Sequence, residues 1–256
     1  CSYQTPLFPS CTHCGHIGFK QIGFGTERVE REIHKLFPSA RIQRIDRNVL
    51  ATRSRRATLI SEQSLENTDI IIGVPSILNI LYHSTLKTLV FIDADTFLKW
   101  SDFRTDEHFT ERVFRARLLV GGGGKVFLET FQPESVFIKR LAAETYDHLE
   151  HTFRMDRDML GYPPFTRVTA IEILRDSRSL ADTAASKLAK SLQTLPESEK
   201  WRIFIQQAPE RPFRDTYIAR ILFRIKDEVL PPALSDWLMA LPKDTFVDQD
   251  PLSLHI

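Results

Sequence analysis

Apolar positions along this chain switch between two spacings, and the switches mark its elements. Within residues 26–37, Val29, Ile33, Leu36 and Phe37 recur on one helical face, with Thr26 as the expected cap, Glu27 in the first turn and Pro38 as the stop. Residues 41–46 alternate apolar and polar like a short strand, and 58–65 forms a helix candidate. The run Asp69-Ile70-Ile71-Ile72-Gly73-Val74 is apolar without alternation. So is 86–92, which ends in Asp93-Ala94-Asp95, and both fit buried strands. A helix is predicted over 106–119, then four glycines, then a strand over 125–131. Strands separated by helices at these intervals point to a mostly parallel α/β sheet.

A long helix is predicted over 134–160, closed by Gly161-Tyr162-Pro163-Pro164. Glycine ends a helix in the left-handed conformation and two prolines cannot continue it, so the boundary is sharp. Beyond it the pattern reads strand (167–174), amphipathic helix (179–195), strand (201–206), strand (216–226), helix (231–240) and strand (245–248). That β-α-β-β-α-β order is the split βαβ arrangement, an antiparallel sheet with both helices on one face.

Composition adds bounds. At 256 residues, 42% hydrophobic and 26% charged, the chain suits one large globular domain or two small ones. Lys plus Arg total 34 against 33 acidic residues, so no global basic field advertises nucleic acid and any such binding must rest on local patches. The most basic stretch, 41–56, holds six arginines and reads plainly as a solvated loop and helix start. No run approaches the roughly 18 apolar residues a membrane span needs. Three cysteines do not make a disulfide scaffold, and a cytoplasmic location is expected.

Three places could carry chemistry. The cysteines are spaced Cys1-x9-Cys11-x2-Cys14, and Cys11-Thr12-His13-Cys14-Gly15 has the form of a zinc knuckle. A closed thiolate site takes four ligands, so three are one short, with His13 and His16 as further candidates. The simplest account is a longer polypeptide cut within a metal-binding module; the alternative is buried or reactive thiols. Second, Asp93 and Asp95 follow a strand, as in Mg²⁺-dependent phosphotransferases, though Thr96 sits one place early for that pattern. Third, Gly121 to Gly124 leads from helix into strand, the reverse of a phosphate-cradling loop, and reads as a connector.

The order of short blocks then becomes informative. Pro9-Ser10-Cys11-Thr12-His13-Cys14-Gly15, Gly25-Thr26-Glu27-Arg28-Val29-Glu30, Arg44-Ile45-Asp46-Arg47, Ser101-Asp102-Phe103-Arg104, Leu160-Gly161-Tyr162-Pro163-Pro164-Phe165 and Val247-Asp248-Gln249-Asp250-Pro251-Leu252 follow one another along the whole chain. In that order they resemble the C-terminal half of the primosomal protein N′ family of replication-restart DNA helicases. The resemblance implies an α/β fold in three parts. Residues 1–24 would be the tail of a two-zinc insertion, 25–160 the second RecA-like lobe of the motor, and 161–256 a small α+β (split βαβ) C-terminal domain. Cys11 and Cys14 would serve one Zn²⁺ and Cys1 the other, each with upstream cysteines. Arg28, Arg47, Asp102 and Arg104 would lie on the DNA-binding or motor-lobe surface, with Asp46 beside them. Forked or single-stranded DNA, single-stranded-DNA-binding protein and primosome proteins would be partners, and ATP with Mg²⁺ would enter through an N-terminal lobe.

Departures from the family pattern bear on activity. Where a family Gly-Thr-Gln-x-x-x-Lys-Gly block is expected, Gly73-Val74-Pro75-Ser76-Ile77-Leu78-Asn79-Ile80 keeps only the first glycine. Where a glycine-punctuated arginine block would stabilise γ-phosphate charge, Phe114-Arg115-Ala116-Arg117 keeps arginines, the candidate catalytic residues Arg115 and Arg117, without the glycines. A family Arg-Tyr-Arg-Trp-Gln strand is Thr216-Tyr217-Ile218-Ala219-Arg220. The reading is a fork-binding relative with weakened or lost ATP-driven unwinding. The alternatives are the C-terminal half of an active 3′→5′ helicase or a phosphotransferase built on Asp93 and Asp95.

Overall fold

The structure, a computed structural model, describes residues 10, 14–17, 25–46, 67–81, 86–99, 102–210, 215–226 and 230–251. The helix candidate at 58–65 lies outside them. Two compact units result, Cys1–Phe97 with Glu111–Pro133, and Leu98–Thr110 with Glu134–Ile256. The sequence boundary at 160 falls inside the second.

In the first unit, α1 (Thr26–Leu36) precedes β1 (Ile42–Ile45), which pairs in parallel with β2 (Ile70–Gly73). Thr26 is the first helical residue and not the cap. The Arg28 and Val29 amides already donate to the Gly25 carbonyl (2.9 and 3.1 Å), which moves the cap to Gly25. The register of the β1–β2 ladder is pinned at its entrance. Arg41 donates Nε and Nη2 to the two Asp69 oxygens (3.0 and 2.8 Å) and its own amide to Oδ2 (2.8 Å). Those bonds, side chain first, hold the Asp69 carboxyl well below the usual carboxylate range. Gly73 ends β2 because nothing larger fits: an added Cβ would lie 3.0 Å from both the Ile45 carbonyl oxygen and Ile77 Cδ1. A 3₁₀ turn, Pro75–Asn79, follows, and Ile45, Ile77 and Leu81 form a small core beneath it.

A second parallel pair, β3 (Thr88–Phe91) with β4 (Lys125–Leu128), completes the strands described in this unit. The ladder of β4 stops at Leu128, short of the predicted 131, because the next backbone groups are drawn away. The Glu129 carbonyl accepts from Ala94 (2.9 Å), and the Phe131 amide donates to Asp95. The short α2 (Ala94–Leu98) starts there, and α3 (Thr105–Val120) matches the predicted 106–119.

The second unit holds α4 (Val136–Ala143) and α5 (Tyr146–Leu160), where a single helix was expected over 134–160. The break has a local cause. Glu144 is extended (φ −93, ψ 163) and its carboxylate is gripped by Arg140 one turn back (2.6 and 2.9 Å), while Thr145 takes the cap position of α5. Gly161 closes α5 in the left-handed region (φ 65, ψ 55), as its position predicts, and the Tyr162 amide donates to the Arg157 carbonyl (2.8 Å).

Then come β5 (Arg167–Arg175), α6 (Arg178–Gln193), β6 (Arg202–Gln206), β7 (Tyr217–Ile225), α7 (Pro232–Met239) and β8 (Thr245–Gln249). The strands form one antiparallel sheet in the order β6-β7-β5-β8, as the split βαβ pattern requires. Alternation sorts the two faces. Ile171 and Ile173 of β5 and Ala219, Ile221, Phe223 and Ile225 of β7 join the core with Ala181, Ala185, Ala189 and Leu192 of α6 and Leu234 of α7. Three alanines on α6 let the helix approach the sheet closely, and each buried Ile contributes about 2 kcal/mol. The even-numbered residues of β5, β6 and β7 face the other way.

Candidate nucleic-acid interface

Charged residues of the first unit are largely committed to one another. Arg44 on β1 meets Glu30 (2.9 Å) and Glu27 (3.6 Å) of α1 and Asp46 (3.1 Å) past the strand end. Two separate sequence blocks, Thr26-Glu27-Arg28-Val29-Glu30 and Arg44-Ile45-Asp46, are thereby one ion-pair cluster that holds α1 to β1. Arg28 lies half-buried on α1, and its charge, after that of Lys35, helps keep the Glu32 carboxyl below its ordinary value. Arg47 is outside the described residues.

Asp93 and Asp95 serve the backbone, which corrects the phosphotransferase reading. Asp93 adopts a positive φ of 56 and accepts from the Thr96 amide (3.2 Å) and hydroxyl (2.6 Å), capping α2. Asp95 is buried and accepts from the Thr130 hydroxyl (2.9 Å) and the Phe131 amide (2.8 Å). All four carboxylate oxygens are used inside the protein.

The arginines of the departed motor block are likewise engaged. Arg115 donates Nε to the Leu78 carbonyl (3.1 Å), in the 3₁₀ turn over the segment where the resemblance leads one to expect a glycine-threonine-glutamine block. The Arg117 guanidinium lies 4.4 Å from the Phe114 ring centroid. Of the three cysteines only Cys14 is described, as an exposed free thiol; Cys1 and Cys11 fall outside. Ser10 bridges Ile17 in antiparallel fashion and Gly15 takes φ 69. Among the described residues no group of three potential ligands gathers.

The second unit holds a different arrangement. Asp102 accepts from the Arg104 amide (2.9 Å) and turns the chain into α3. Phe103 then stacks on Tyr162, centroids 4.5 Å apart and planes within 3°, so the Asp102-Phe103-Arg104 and Gly161-Tyr162-Pro163 blocks also meet. Arginines surround this stack. Arg104 lies 5.2 Å from the Phe103 centroid, and its Nε is buried with no hydrogen-bond partner among the described residues. Arg157 lies 5.5 Å from the same ring, grips Glu107 with two donors (Nε to Oε1, 2.6 Å) and donates Nη1 to the Pro163 carbonyl (3.1 Å). From the sheet, Arg224 sits 4.1 Å over Tyr162 and 5.9 Å from Phe204, and donates to the Leu160 carbonyl (3.0 Å).

The outcome is a ladder, Phe103–Tyr162–Arg224–Phe204, that ends at the β6 edge, on the sheet face turned away from α6 and α7. Sequence reading singled out Asp102 and Arg104 but missed Arg157, Arg224 and Phe204. The available signal was the alternation of β7, which puts Arg220, Leu222 and Arg224 on the face opposite the core.

No protein-family model matches the chain. Curated relatives do. Replication restart protein PriA of Thermotoga maritima is 26% identical over 264 residues, covering 100% of this chain and 34% of the relative. PriA of Rickettsia conorii is 30% identical over 232 residues, 80% of this chain and 35% of the relative. PriA of Bacillus subtilis is 24% identical over 241 residues, 91% of this chain and 29% of the relative. The chain thus spans about a third of the length of these relatives. By sequence it is related to replication restart protein PriA and corresponds to the C-terminal region of that family.

Proposed function

We propose that this chain is the DNA-engaging C-terminal region of a cytoplasmic replication-restart protein, and that its ATP-driven unwinding is weakened or lost. The observation that carries the reading is the match to PriA relatives along this chain, which spans about a third of their length. Arg115 supports the second half of the proposal: its Nε is bonded to the Leu78 carbonyl, inside the segment that departs most from the motor pattern. An arginine that stabilises γ-phosphate charge must reach the nucleotide, and this one is tied down. DNA contact would come from arginines with no acidic partner nearby, since the chain has almost no net charge. Residues 25–160 would act as the second RecA-like lobe. Zn²⁺ would be held by Cys11 and Cys14, with Cys1 serving a second ion, and would fix the entry to that lobe without taking part in turnover. Single-stranded-DNA-binding protein and primosome proteins are proposed partners.

The test is anisotropy of labelled forked and blunt DNA together with a DNA-stimulated ATPase assay on the protein that carries this chain. Fork binding should weaken steeply with salt, about 0.9 log units per phosphate contact for each tenfold rise, without ATP turnover. Turnover at ordinary helicase rates would make it the C-terminal half of an active 3′→5′ helicase instead. Absence of any DNA binding would remove both readings.

A further inference from the structure

We propose that the β6 edge of the sheet face turned away from α6 and α7 is a base-stacking subsite for single-stranded nucleic acid, formed by Phe204, Arg202 and Arg224. The inference rests on the DNA-binding reading above and names the surface that would meet unpaired strand.

Register places the three side chains together. In the β6–β7 ladder Arg202 stands opposite Arg224 and Phe204 opposite Leu222, on the face turned away from α6 and α7. Phe204 remains 52% exposed although it sits in a regular strand. A phenylalanine of a folded sheet that keeps half its surface in water offers a ring face to an incoming partner. On the protein side the ring is backed by the Arg224 guanidinium at 5.9 Å, which is itself stacked over Tyr162. The ring is thus presented on a rigid support.

The charges indicate what the partner is. Like charges directly opposite on one face of an antiparallel pair oppose folding by about 0.2–1 kcal/mol. Arg202 has no ion pair among the described residues, and Arg224 spends its donors on the carbonyls of Leu160 and Gly161. Glu172, the carboxylate on the same face of β5, already pairs with Arg220. Among the described residues, two arginines therefore stand opposite each other with no carboxylate paired to either, beside an exposed ring. A phosphodiester supplies that charge and its base supplies a flat apolar face, which is how sequence-tolerant single-strand sites are built. Duplex DNA keeps its base faces stacked and could use only the charges.

The experiment uses the whole chain with fluorescein-labelled oligo(dT) and a blunt duplex, read by anisotropy. Phe204→Ala should weaken oligo(dT) binding about tenfold, the loss expected for one stacked base, and leave duplex binding unchanged. Phe204→Trp should restore it, which a merely structural role for the ring would not require. Arg202→Ala should lower the salt slope for oligo(dT) by about 0.7, one phosphate contact. Equal oligo(dT) affinity for the wild type and Phe204→Ala overturns the subsite but leaves DNA binding by other surfaces standing. Equal losses on duplex and single strand overturn it too. An acidic peptide with a C-terminal aromatic residue that needs Phe204 while oligo(dT) does not would reassign the face to a protein partner. Failure of the wild type to bind any DNA would end the DNA-binding reading as well.

Discussion

Removing the Arg157 guanidinium tests how the second unit holds its Gly-Tyr-Pro-Pro segment. Arg157 and Glu107 are linked by two donors, with side chains only 20% and 17% exposed, and the same guanidinium reaches the Pro163 carbonyl and the face of Phe103. Arg157→Met keeps the apolar stem, removes the charge and strands a half-buried carboxylate. Breaking one side of a fully buried pair costs about 3–5 kcal/mol. One-fifth exposure lowers that figure, while the lost bond to Pro163 adds about 1 kcal/mol. A net loss of about 3 kcal/mol is expected, or a Tm decrease of about 10 °C for the unit. Glu107→Gln alone should also destabilise. The double variant should lose less than the sum of the two, because neither partner then leaves an uncompensated charge. Differential scanning calorimetry of the wild type, both single variants and the double variant gives the cycle. A single-variant loss below about 0.5 kcal/mol, the range of surface pairs, or additivity within error, would refute the claim that this pair locks the segment.

Two further outcomes follow from the first unit. Asp93→Ala should cost about 1–2 kcal/mol, because it removes the cap on α2 and forces a β-carbon without a polar side chain into a left-handed backbone. Asp93→Asn, which caps and tolerates that conformation, should stay near wild type in urea melts and in any phosphatase screen. Asp69→Asn should lower the Tm at pH 7. The Asp69 carboxyl is held below its unfolded value of 3.8 by Arg41, so its contribution is present above that value and fades as pH falls through the lower, folded-state pKa. Melts across an acid series should show the difference between variant and wild type closing below about pH 4; a constant difference would contradict the Arg41 assignment.

Much of the fold was legible because burial writes itself into spacing. The alternation of β5 and β7 marks which residues meet α6 and α7, and the position of Gly161 before two prolines marks the end of α5. The break at Glu144 was not legible, since helical periodicity runs on through it and the only cue is Thr145 ahead of Asp147. The role of Asp93 and Asp95 was misread for a different reason. Two carboxylates after a strand look alike whether they hold a cation or cap a helix, and only the Thr96, Thr130 and Phe131 donors decide. Arg157 and Arg224 could not be found from sequence because their partners lie 50 and 64 positions away.

The blocks that carry the family resemblance do a structural job in this chain. Glu27 and Glu30 in one block close on Arg44 in the next, and Phe103 in a third stacks on Tyr162 in a fourth. Each block is half of a lock, so losing one strands the charge or ring of the other. The motor blocks are joined too, but with an altered content. The segment Pro75–Asn79 forms a 3₁₀ turn, and its Leu78 carbonyl accepts from Arg115. Swinging Arg115 toward a nucleotide would break a bond worth about 1 kcal/mol and leave a half-buried carbonyl without this donor. Two departures that look independent in sequence therefore meet in one contact. Ion pairs and ring stacks that join distant blocks, together with an Arg115 engaged inside the protein, are what the proposed loss of turnover requires.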